Sequence, residues 1–384
     1  MKKIYQNFDG LDVTFQCAVP KFILQKLKQA QQEAKDTKQD VIITIGKTPV
    51  AVASNGLKGG YAYRFDTGID GAIWAVAESE NREWWNVRVS VKSLMLALYG
   101  YKGTKEKILK FLMNELLVRH PQGYTEPVER VSRFDFCIDF IAEDHFVPDP
   151  KCFLTHNRST KKYQGDIPNV SPLDFIIVDQ GKEIQGITIG KMPNRQLTIY
   201  NKRREIMAKQ KIYWWDIWGI NPEKIKSNIW RVEVRVGKKA LKKQYVRGFL
   251  ELEKYAGNII SQILHDYRYV IPNYNDKNRS RWPLAPFWKS CIDAASEYLA
   301  EYSFNGEREK IIRNYREAIV TQYRKHINGL ITSYIAAQGK DISQIPEVLE
   351  TVGADFIEAL RKNPQKAINR YKNAEKRIAF VCGE

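Results

Sequence analysis

The 384-residue sequence has few of the features that mark secreted, membrane or nucleotide-binding proteins. Its five cysteines are scattered singly, without a CxxC pair or the spacing of a disulfide framework, so we expect reduced, structural thiols. No apolar run reaches membrane-spanning length, and the lysines near the start precede no signal-peptide core. Neither GxxxxGKS/T nor GxGxxG occurs, which leaves nucleotide binding unsupported. These absences predict a soluble, cytoplasmic protein with no membrane partner.

Composition and charge describe a folded protein with a positive excess. Hydrophobic residues make up 43% of the chain and aromatic residues 12%, and no low-complexity tract occurs, which excludes disorder as its main state. A length of 384 residues suffices for two domains. The 61 Lys and Arg against 44 Asp and Glu give a net charge of +17, which predicts a polyanionic partner, nucleic acid before a membrane surface.

Runs that alternate apolar and polar residues recur up to residue 237 and are typical of half-buried strands. The clearest are VSRFDFCIDFI, DFIIVD, EIQGITIG, RQLTIYNK and WRVEVRVG, with a turn at Gln180-Gly181-Lys182 that predicts a hairpin. The pattern then changes to long helices with basic polar faces. The sequence therefore predicts an α+β protein, with an antiparallel-sheet domain (1–245) that packs helices on one face, followed by an all-helical basic C-terminal domain (246–384).

Alternation along three of these runs separates an apolar face from a polar face. The apolar faces comprise Phe134, Phe136, Ile138 and Phe140, then Leu197 and Ile199, then Val232, Val234 and Val236. The polar faces comprise Arg133, Asp135, Cys137 and Asp139, then Gln196, Thr198, Tyr200 and Lys202, then Arg231, Glu233 and Arg235. If the three strands are neighbours in one sheet, three carboxylates, a tyrosine and several cations converge on one surface.

Such a surface has the parts that phosphodiester transesterification needs. Carboxylates are oxygen ligands for a hard divalent cation, a tyrosine hydroxyl is a nucleophile, and cationic side chains bind phosphate. A tyrosine has a reference pKa near ~10, so Tyr200 needs help from a metal or from a cation such as Lys202. The alternative is that the polar faces are solvated sheet surface, since charged outward faces are common and a polar tyrosine is more often a surface residue than a catalyst.

In combination, the segments RFDFCIDF, TIYNKRREI and WRVEVRV resemble the Rep-trans family of rolling-circle plasmid replication initiators and related relaxases of conjugative elements. Members of that family share an Arg-x-Asp strand with a second acid four positions later. A glycine-containing strand then leads to an Ile-Tyr-Asn/Asp-Lys strand, and a Trp-Arg-x-Glu strand follows. Here the glycine is Gly190, and the resemblance covers roughly residues 80 to 245.

The resemblance implies an enzyme that nicks one DNA strand at a replication or transfer origin, forms a 5′-phosphotyrosine link and later rejoins the strand. The family's nucleophile corresponds to Tyr200, with Lys202 beside it. The acidic residues that hold the divalent metal, Mg²⁺ or Mn²⁺, correspond first to Asp139 and Glu233 and then to Asp135. The cations expected to contact DNA are Arg133, Lys191, Arg195, Arg203, Arg204, Arg231 and Arg235.

This chain departs from the family pattern before the tyrosine strand. The family commonly has Gly-x-Arg-x-Ser there, whereas GKMPNRQLTIY lacks the serine and has Pro193, so Lys191 and Arg195 are the candidate substitutes for phosphate contacts. A His-hydrophobic-His triplet, which another class of rolling-circle nickases uses for metal, is also absent. Metal binding would therefore rest on carboxylates. All five histidines are isolated and are assigned no role: His120, His145, His156, His265 and His326.

Three alternatives stay open. An initiator of plasmid or phage replication and a relaxase of a mobile element fit equally well, and both imply origin DNA, single-stranded or as a hairpin, and possible cooperation with a host helicase. A non-catalytic DNA-binding regulator on the same fold would not need Tyr200, Asp139 and Glu233, whose presence argues against it. The aromatic cluster YWWDIWG (213–219) either packs or stacks on unpaired bases, and packing is favoured because large aromatics are ordinarily core residues.

Overall fold

A computed structural model of the chain describes residues 1–78, 84–117, 127–143, 145–155, 175–180, 183–295, 299 and 308–382. In these ranges, eleven strands form one antiparallel sheet and two short strands form another. The strands are β1 (Lys2–Gln16), β2 (Val41–Ile45), β3 (Thr48–Val52), β4 (Tyr63–Asp66), β5 (Ala72–Val76), β6 (Val87–Val91), β7 (Val128–Ile141), β8 (Phe153–Thr155), β9 (Phe175–Gln180), β10 (Glu183–Lys191), β11 (Arg195–Asn201), β12 (Ile229–Gly237) and β13 (Tyr267–Tyr269).

The large sheet has the order β2-β3-β4-β5-β6-β1-β7-β12-β11-β10-β9, and β8 pairs with β13 in the small sheet. The predicted hairpin is present, since Glu183 of β10 pairs with Gln180 of β9, while its two turn residues lie outside the described residues. The α-helices in the described residues are α1 (Lys21–Thr37), α2 (Ser93–Lys110), α3 (Lys202–Ala208), α4 (Tyr213–Trp218), α5 (Lys238–Lys243), α6 (Phe249–Asp266), α7 (Pro286–Ala295), α8 (Arg308–Ala337), α9 (Ile345–Lys362) and α10 (Pro364–Cys382).

The apolar face of the sheet carries the main core, as the alternation predicted. Phe134, Phe136, Ile138 and Phe140 of β7 are all buried there, together with the alternating valines of β12. Helices α1, α2, α6 and α7 pack on this face and supply its other half, for example through Leu27, Leu96, Ile260 and Trp288. This arrangement confirms the α+β fold with helices on one face of an antiparallel sheet, because an apolar sheet face must be covered by another layer.

The other face of the sheet is not uniformly open. The short helices α3 and α4 follow directly after β11 and lie over one end of it. Trp214 and Trp218 of α4 are buried against polar-face residues of the sheet, so the aromatic cluster packs, as its composition favoured. The polar face is therefore divided into a covered end and a more accessible remainder.

The chain divides into two compact units, Met1–Gly306 and Glu307–Glu384. The division falls after α7, later than the domain boundary expected near residue 245. Helices α6 and α7 belong with the sheet because their apolar side chains, such as Phe249 and Trp288, are part of its core. The second unit is all-helical and consists of α8, α9 and α10. No helix in the described ranges is long and apolar enough to cross a membrane.

Candidate active site

The three strands of the predicted site are neighbours in the sheet, in the order β7-β12-β11. In the pairing of β11 with β12, Tyr200 lies opposite Arg231 and Thr198 opposite Glu233. In the pairing of β12 with β7, Arg231 lies opposite Asp139 and Arg235 opposite Asp135. Since residues that pair directly across strands point to the same face, the polar residues of all three strands share one surface. The structure therefore confirms that the polar residues of these three strands lie together on one face of the sheet.

Tyr200 and Glu233 form the contact at the centre of this surface. The Tyr200 hydroxyl donates to Oε2 of Glu233 at 3.0 Å, and Nε of Arg235 donates to Oε1 of the same carboxylate at 2.6 Å. Glu233 is buried, whereas Tyr200 is half-buried. Burial, followed by the nearby Glu233 charge, raises the pKa of Tyr200 well above its ordinary value. The phenol is thus neutral at rest and already points its proton at a carboxylate.

Asp135 is a second carboxylate next to this pair. Burial and the neighbouring Glu233 charge raise its pKa to about 7, against the opposing effect of Arg133. Arg133 donates to both of its oxygens, at 2.9 Å from Nε and 2.5 Å from Nη2. Gly10 on β1 makes room for the carboxylate, since a Cβ at that position would lie 2.7 Å from Oδ2 of Asp135. Asp135 and Glu233 are thus two neighbouring carboxylates, each with its own arginine partner.

Asp139 lies at the covered end of the face and is held by a buried ion pair. Nε and Nη2 of Arg231 donate to its two oxygens at 2.6 and 2.7 Å, and the Trp218 indole donates to Oδ2 at 2.8 Å. Nη1 of Arg231 donates to Asp9 on β1 at 2.6 Å. Both Asp139 and Arg231 are fully buried, and the guanidinium lies 4.3 Å from the centre of the Trp214 ring. Arg231 thus forms ion pairs with two aspartates, and the Trp214 ring packs against its guanidinium.

Lys202 is the first residue of α3 rather than the last of β11, and it too is buried. Its Nζ donates to Glu205 at 2.8 Å and lies 4.7 Å from the centre of the Trp214 ring. Burial and the Arg231 charge lower the pKa of Lys202. Asn201 begins the helix by accepting from the backbone N–H of Arg204 at 3.1 Å. The turn from β11 into α3 therefore fixes the lysine beside the tyrosine strand.

The seven cations expected to contact DNA fall into different environments. Lys191 and Arg204 are exposed, while Arg133 and Arg235 are half-buried and paired with the acidic residues described above. Arg195 pairs with Asp266, and Arg203 donates to the backbone carbonyls of Ile225 and Ser227 at 2.7 and 2.9 Å. Arg231 is enclosed. The first four therefore have access to a ligand, and the other three are used within the fold.

The predicted metal ligands are not arranged as an open ligand set. Each oxygen of Asp139, Asp135 and Glu233 already accepts from an arginine, an indole or the Tyr200 hydroxyl. In the described part of the chain, no group of three or more His, Cys, Asp and Glu side chains is placed to hold a metal ion. Asp139 in particular would have to give up its bonds to Arg231 before it bound a cation, so the residues as arranged do not fit the ion.

Two acidic residues of the site escaped the sequence analysis. Asp9 lies on β1, a 15-residue central strand that was not predicted, and holds one side of Arg231. Glu205 on α3 pairs with Lys202, Lys209 and Lys211. The i to i+3 spacing of Lys202 and Glu205 was a detectable helical signal. Asp9 had no comparable local signal, because its partner Arg231 is far away in the sequence.

One comparison with known proteins identifies a family for this chain. The family described as replication initiation factor matches residues 129–342, more than half of the chain. Among solved structures, the chain is similar to a rolling circle replication initiator protein from Geobacillus stearothermophilus at 16% identity and a TM-score of 0.40, covering 76% of this chain and 96% of that one. No match was found among curated proteins.

Proposed function

This chain belongs to the replication initiation factor family, and we propose that it starts rolling-circle replication by nicking one DNA strand with Tyr200 as the nucleophile. The observation that carries this proposal is the 3.0 Å bond from the Tyr200 hydroxyl to the Glu233 carboxylate, on a sheet face lined with cations. The partner is origin DNA, presented as a single strand or a hairpin, and a host helicase would extend the opened region. The expected cellular location is the cytoplasm.

The raised pKa of Tyr200 decides how the nucleophile is activated. Because burial and Glu233 disfavour the phenolate, the hydroxyl has to lose its proton during the attack rather than before it. Glu233 accepts that proton, since its Oε2 already receives the hydroxyl hydrogen bond. The bond from Oη to phosphorus forms, the bond from phosphorus to the 3′ oxygen breaks, and the leaving oxygen takes up a proton as a free 3′ hydroxyl. The product is a 5′-phosphotyrosine link. Attack of the 3′ hydroxyl on this link later releases Tyr200 and rejoins the strand.

Two kinds of cation serve this step. The guanidinium of Arg235 is half-buried beside Glu233, and in the proposed step it stabilises the negative charge that develops on the phosphoryl oxygens. Arg231 and Lys202 are buried and act as positioning residues that hold the end of the tyrosine strand. A divalent ion, Mg²⁺ or Mn²⁺, stays a prediction of the family resemblance. The proposed steps use the side chains alone, because each carboxylate oxygen already accepts a hydrogen bond.

The proposal is tested by trapping the covalent intermediate. The protein is incubated with a single-stranded oligonucleotide or supercoiled DNA from its own replicon, with and without Mn²⁺, and the DNA-linked peptide is identified by mass spectrometry. We expect the adduct on Tyr200. Tyr200→Phe should abolish nicking and adduct but leave DNA affinity nearly intact, because only one oxygen is lost. Tyr274→Phe, at a tyrosine that is 83% exposed on a loop, is the matched control.

A second variant examines the proton acceptor. Glu233→Gln keeps the side-chain volume but cannot take the tyrosine proton, so cleavage should slow by about 10²- to 10⁴-fold while DNA binding persists. Glu223→Gln, at an exposed glutamate, is its control and should cleave like the wild type. An adduct on another residue, or wild-type cleavage by Tyr200→Phe, would overturn the assignment of the nucleophile. A wild-type chain that binds origin DNA without ever cutting it would instead favour the non-catalytic regulator.

A further inference from the structure

A wide groove opens on the sheet at the end opposite to the one covered by α4. Its volume is about 1160 Å³, above the ~300–1,000 Å³ of ordinary small-molecule sites. Arg133 lines the groove and also holds Asp135, so the groove leads toward the acidic pair of the candidate active site. Cys137, which pairs with Glu233, lies four positions along the strand from Arg133, a distance of about 13 Å. A linear polymer attached at Tyr200 would therefore reach the groove within a few of its repeating units.

The groove is strongly basic. Among the described residues that line it, eight are Lys or Arg and two are Asp or Glu. Both acids are already engaged, since Asp12 accepts from Arg88 at 2.9 Å and Glu129 accepts from the backbone N–H of Phe249 at 2.6 Å. Three exposed lysines of α5, which are Lys238, Lys239 and Lys242, form no ion pair within the described residues. The groove thus offers uncompensated positive charge to a polyanion.

Aromatic side chains alternate with this charge. Trp85 is half-buried, and the Arg130 guanidinium lies 5.1 Å from the centre of its ring. Tyr61 and Tyr245 also line the groove, and Tyr245, at the turn after α5, is 79% exposed. An exposed aromatic ring flanked by unpaired lysines is unfavourable as bare surface but suits a ligand that has both flat apolar faces and phosphates. Unpaired nucleic-acid bases stack on such rings whatever their sequence.

We infer that this groove binds single-stranded DNA next to the nick, with phosphates on the α5 lysines and bases stacked on Tyr245, Trp85 and Tyr61. The inference rests on the proposed function and names the subsite that holds the strand. A duplex would present its backbone to the lysines but keep its base faces stacked inside, out of reach of the rings. One set of lining residues, including Lys58, Tyr61, Trp85 and Arg88, comes from the part of the chain before residue 129 and so lies outside the family match.

The test measures the affinity of the full chain for a fluorescein-labelled dT20 oligonucleotide by anisotropy, without added divalent ion. Lys239→Gln combined with Lys242→Gln should weaken binding about tenfold at 100 mM salt. It should also reduce the slope of log K against log salt by about 1.4, as the loss of two phosphate contacts requires. The control is Lys224→Gln combined with Lys243→Gln, two exposed lysines that do not line the groove, one of them on α5 itself.

Tyr245→Leu separates stacking from charge. It should weaken dT20 binding by about tenfold with an unchanged salt slope, and it should leave the affinity for a fully paired hairpin of the same length unaltered. Tyr274→Leu is the control for removing an exposed tyrosine and should bind like the wild type. All of these positions are exposed, so circular dichroism should show the same fold for every variant.

The outcomes distinguish this inference from the proposed function. If the wild type forms the covalent adduct but both groove variants bind dT20 like their controls, the groove is not the strand site. Equal losses for hairpin and dT20 on Tyr245→Leu would also overturn it, in favour of a duplex site. If instead the groove variants lose dT20 affinity as expected but the wild type never forms an adduct, the single-strand site stands and the proposed nicking function fails.

Discussion

The contacts of Asp139 show whether this carboxylate is a metal ligand or the partner of a buried arginine. As a metal ligand it would have to direct an oxygen at a cation, whereas both of its oxygens accept from Arg231 and one also from the Trp218 indole. The Arg231 side chain is fully buried, and within the described residues its ion pairs are with Asp139 and Asp9. A buried arginine that loses a partner keeps its desolvation cost without its Coulomb gain. The geometry therefore predicts a stability effect for Asp139 rather than a metal effect.

We expect Asp139→Asn to lower the free energy of unfolding by about 3–5 kcal/mol, the usual cost of breaking a buried ion pair. Urea unfolding measures this directly. Asp135→Asn at pH 8 is the comparison on the same strand face and should cost much less, because the pKa of Asp135 is already raised to about 7 and its ionised form is disfavoured by burial. If Asp139→Asn is as stable as the wild type but needs more Mn²⁺ for cleavage, the metal-ligand role is correct.

At the scale of strands and helices, the sequence predicted β7, β11 and β12 but missed β1. The first three alternate strictly, so their side chains sort into faces by counting. In β1 the count fails, because bulges shift the register between Phe8 and Gly10 and again between Asp12 and Val13. Phe8 and Leu11 are both buried in the core although an odd number of positions separates them. A period of two cannot detect such a strand, so neither β1 nor Asp9 on it is predictable from alternation.

The α3 helix offers a test of how much one acidic residue stabilises the covered end of the site. Despite burial, Lys202 and its neighbours lower the pKa of Glu205 from 4.5 to about 2. A carboxyl whose folded pKa is depressed contributes stability above its unfolded pKa and loses it as the pH falls toward its folded pKa. The contribution of Glu205 is therefore complete above about pH 4.5 and disappears between there and about pH 2.

Glu205→Gln should accordingly destabilise the protein by about 1–2 kcal/mol at pH 7, a figure reduced for solvent screening of its exposed lysine partners, and by progressively less as the pH is lowered below 4.5. The measurement is the difference in urea midpoint between variant and wild type across this pH range. Glu223→Gln, at an exposed glutamate in the turn after α4, should show almost no difference at any pH. A penalty for Glu205→Gln that is constant down to pH 3 would mean that the residue acts by packing and not by charge.

At the scale of the whole molecule, the sequence predicted the order of sheet and helices but not where the first unit ends. Helices that cover a sheet and helices of a separate unit are both amphipathic, so periodicity alone does not separate them. The contacts do: α6 and α7 contribute Phe249, Ile260 and Trp288 to the sheet's core. The core cluster includes no residue after Leu299 among those described. Helices α6 and α7 therefore belong to the sheet's core, whereas the described residues 308–382 contribute none of its members.

We propose that the helices of the second unit contribute duplex affinity and origin choice while the sheet unit holds the chemistry, because the tyrosine and its carboxylates all lie before residue 236. Fragment 1–306 keeps the whole core cluster and the groove, so it should fold, cleave a single-stranded oligonucleotide in Mn²⁺ and lose its preference for duplex origin DNA over unrelated duplex.

Fragment 1–245 is the control for where the first unit ends and should aggregate, since it exposes the sheet face that α6 and α7 cover. Competition binding with origin and scrambled duplexes measures the preference, and full origin selectivity in a soluble, active 1–306 fragment would refute the division of labour.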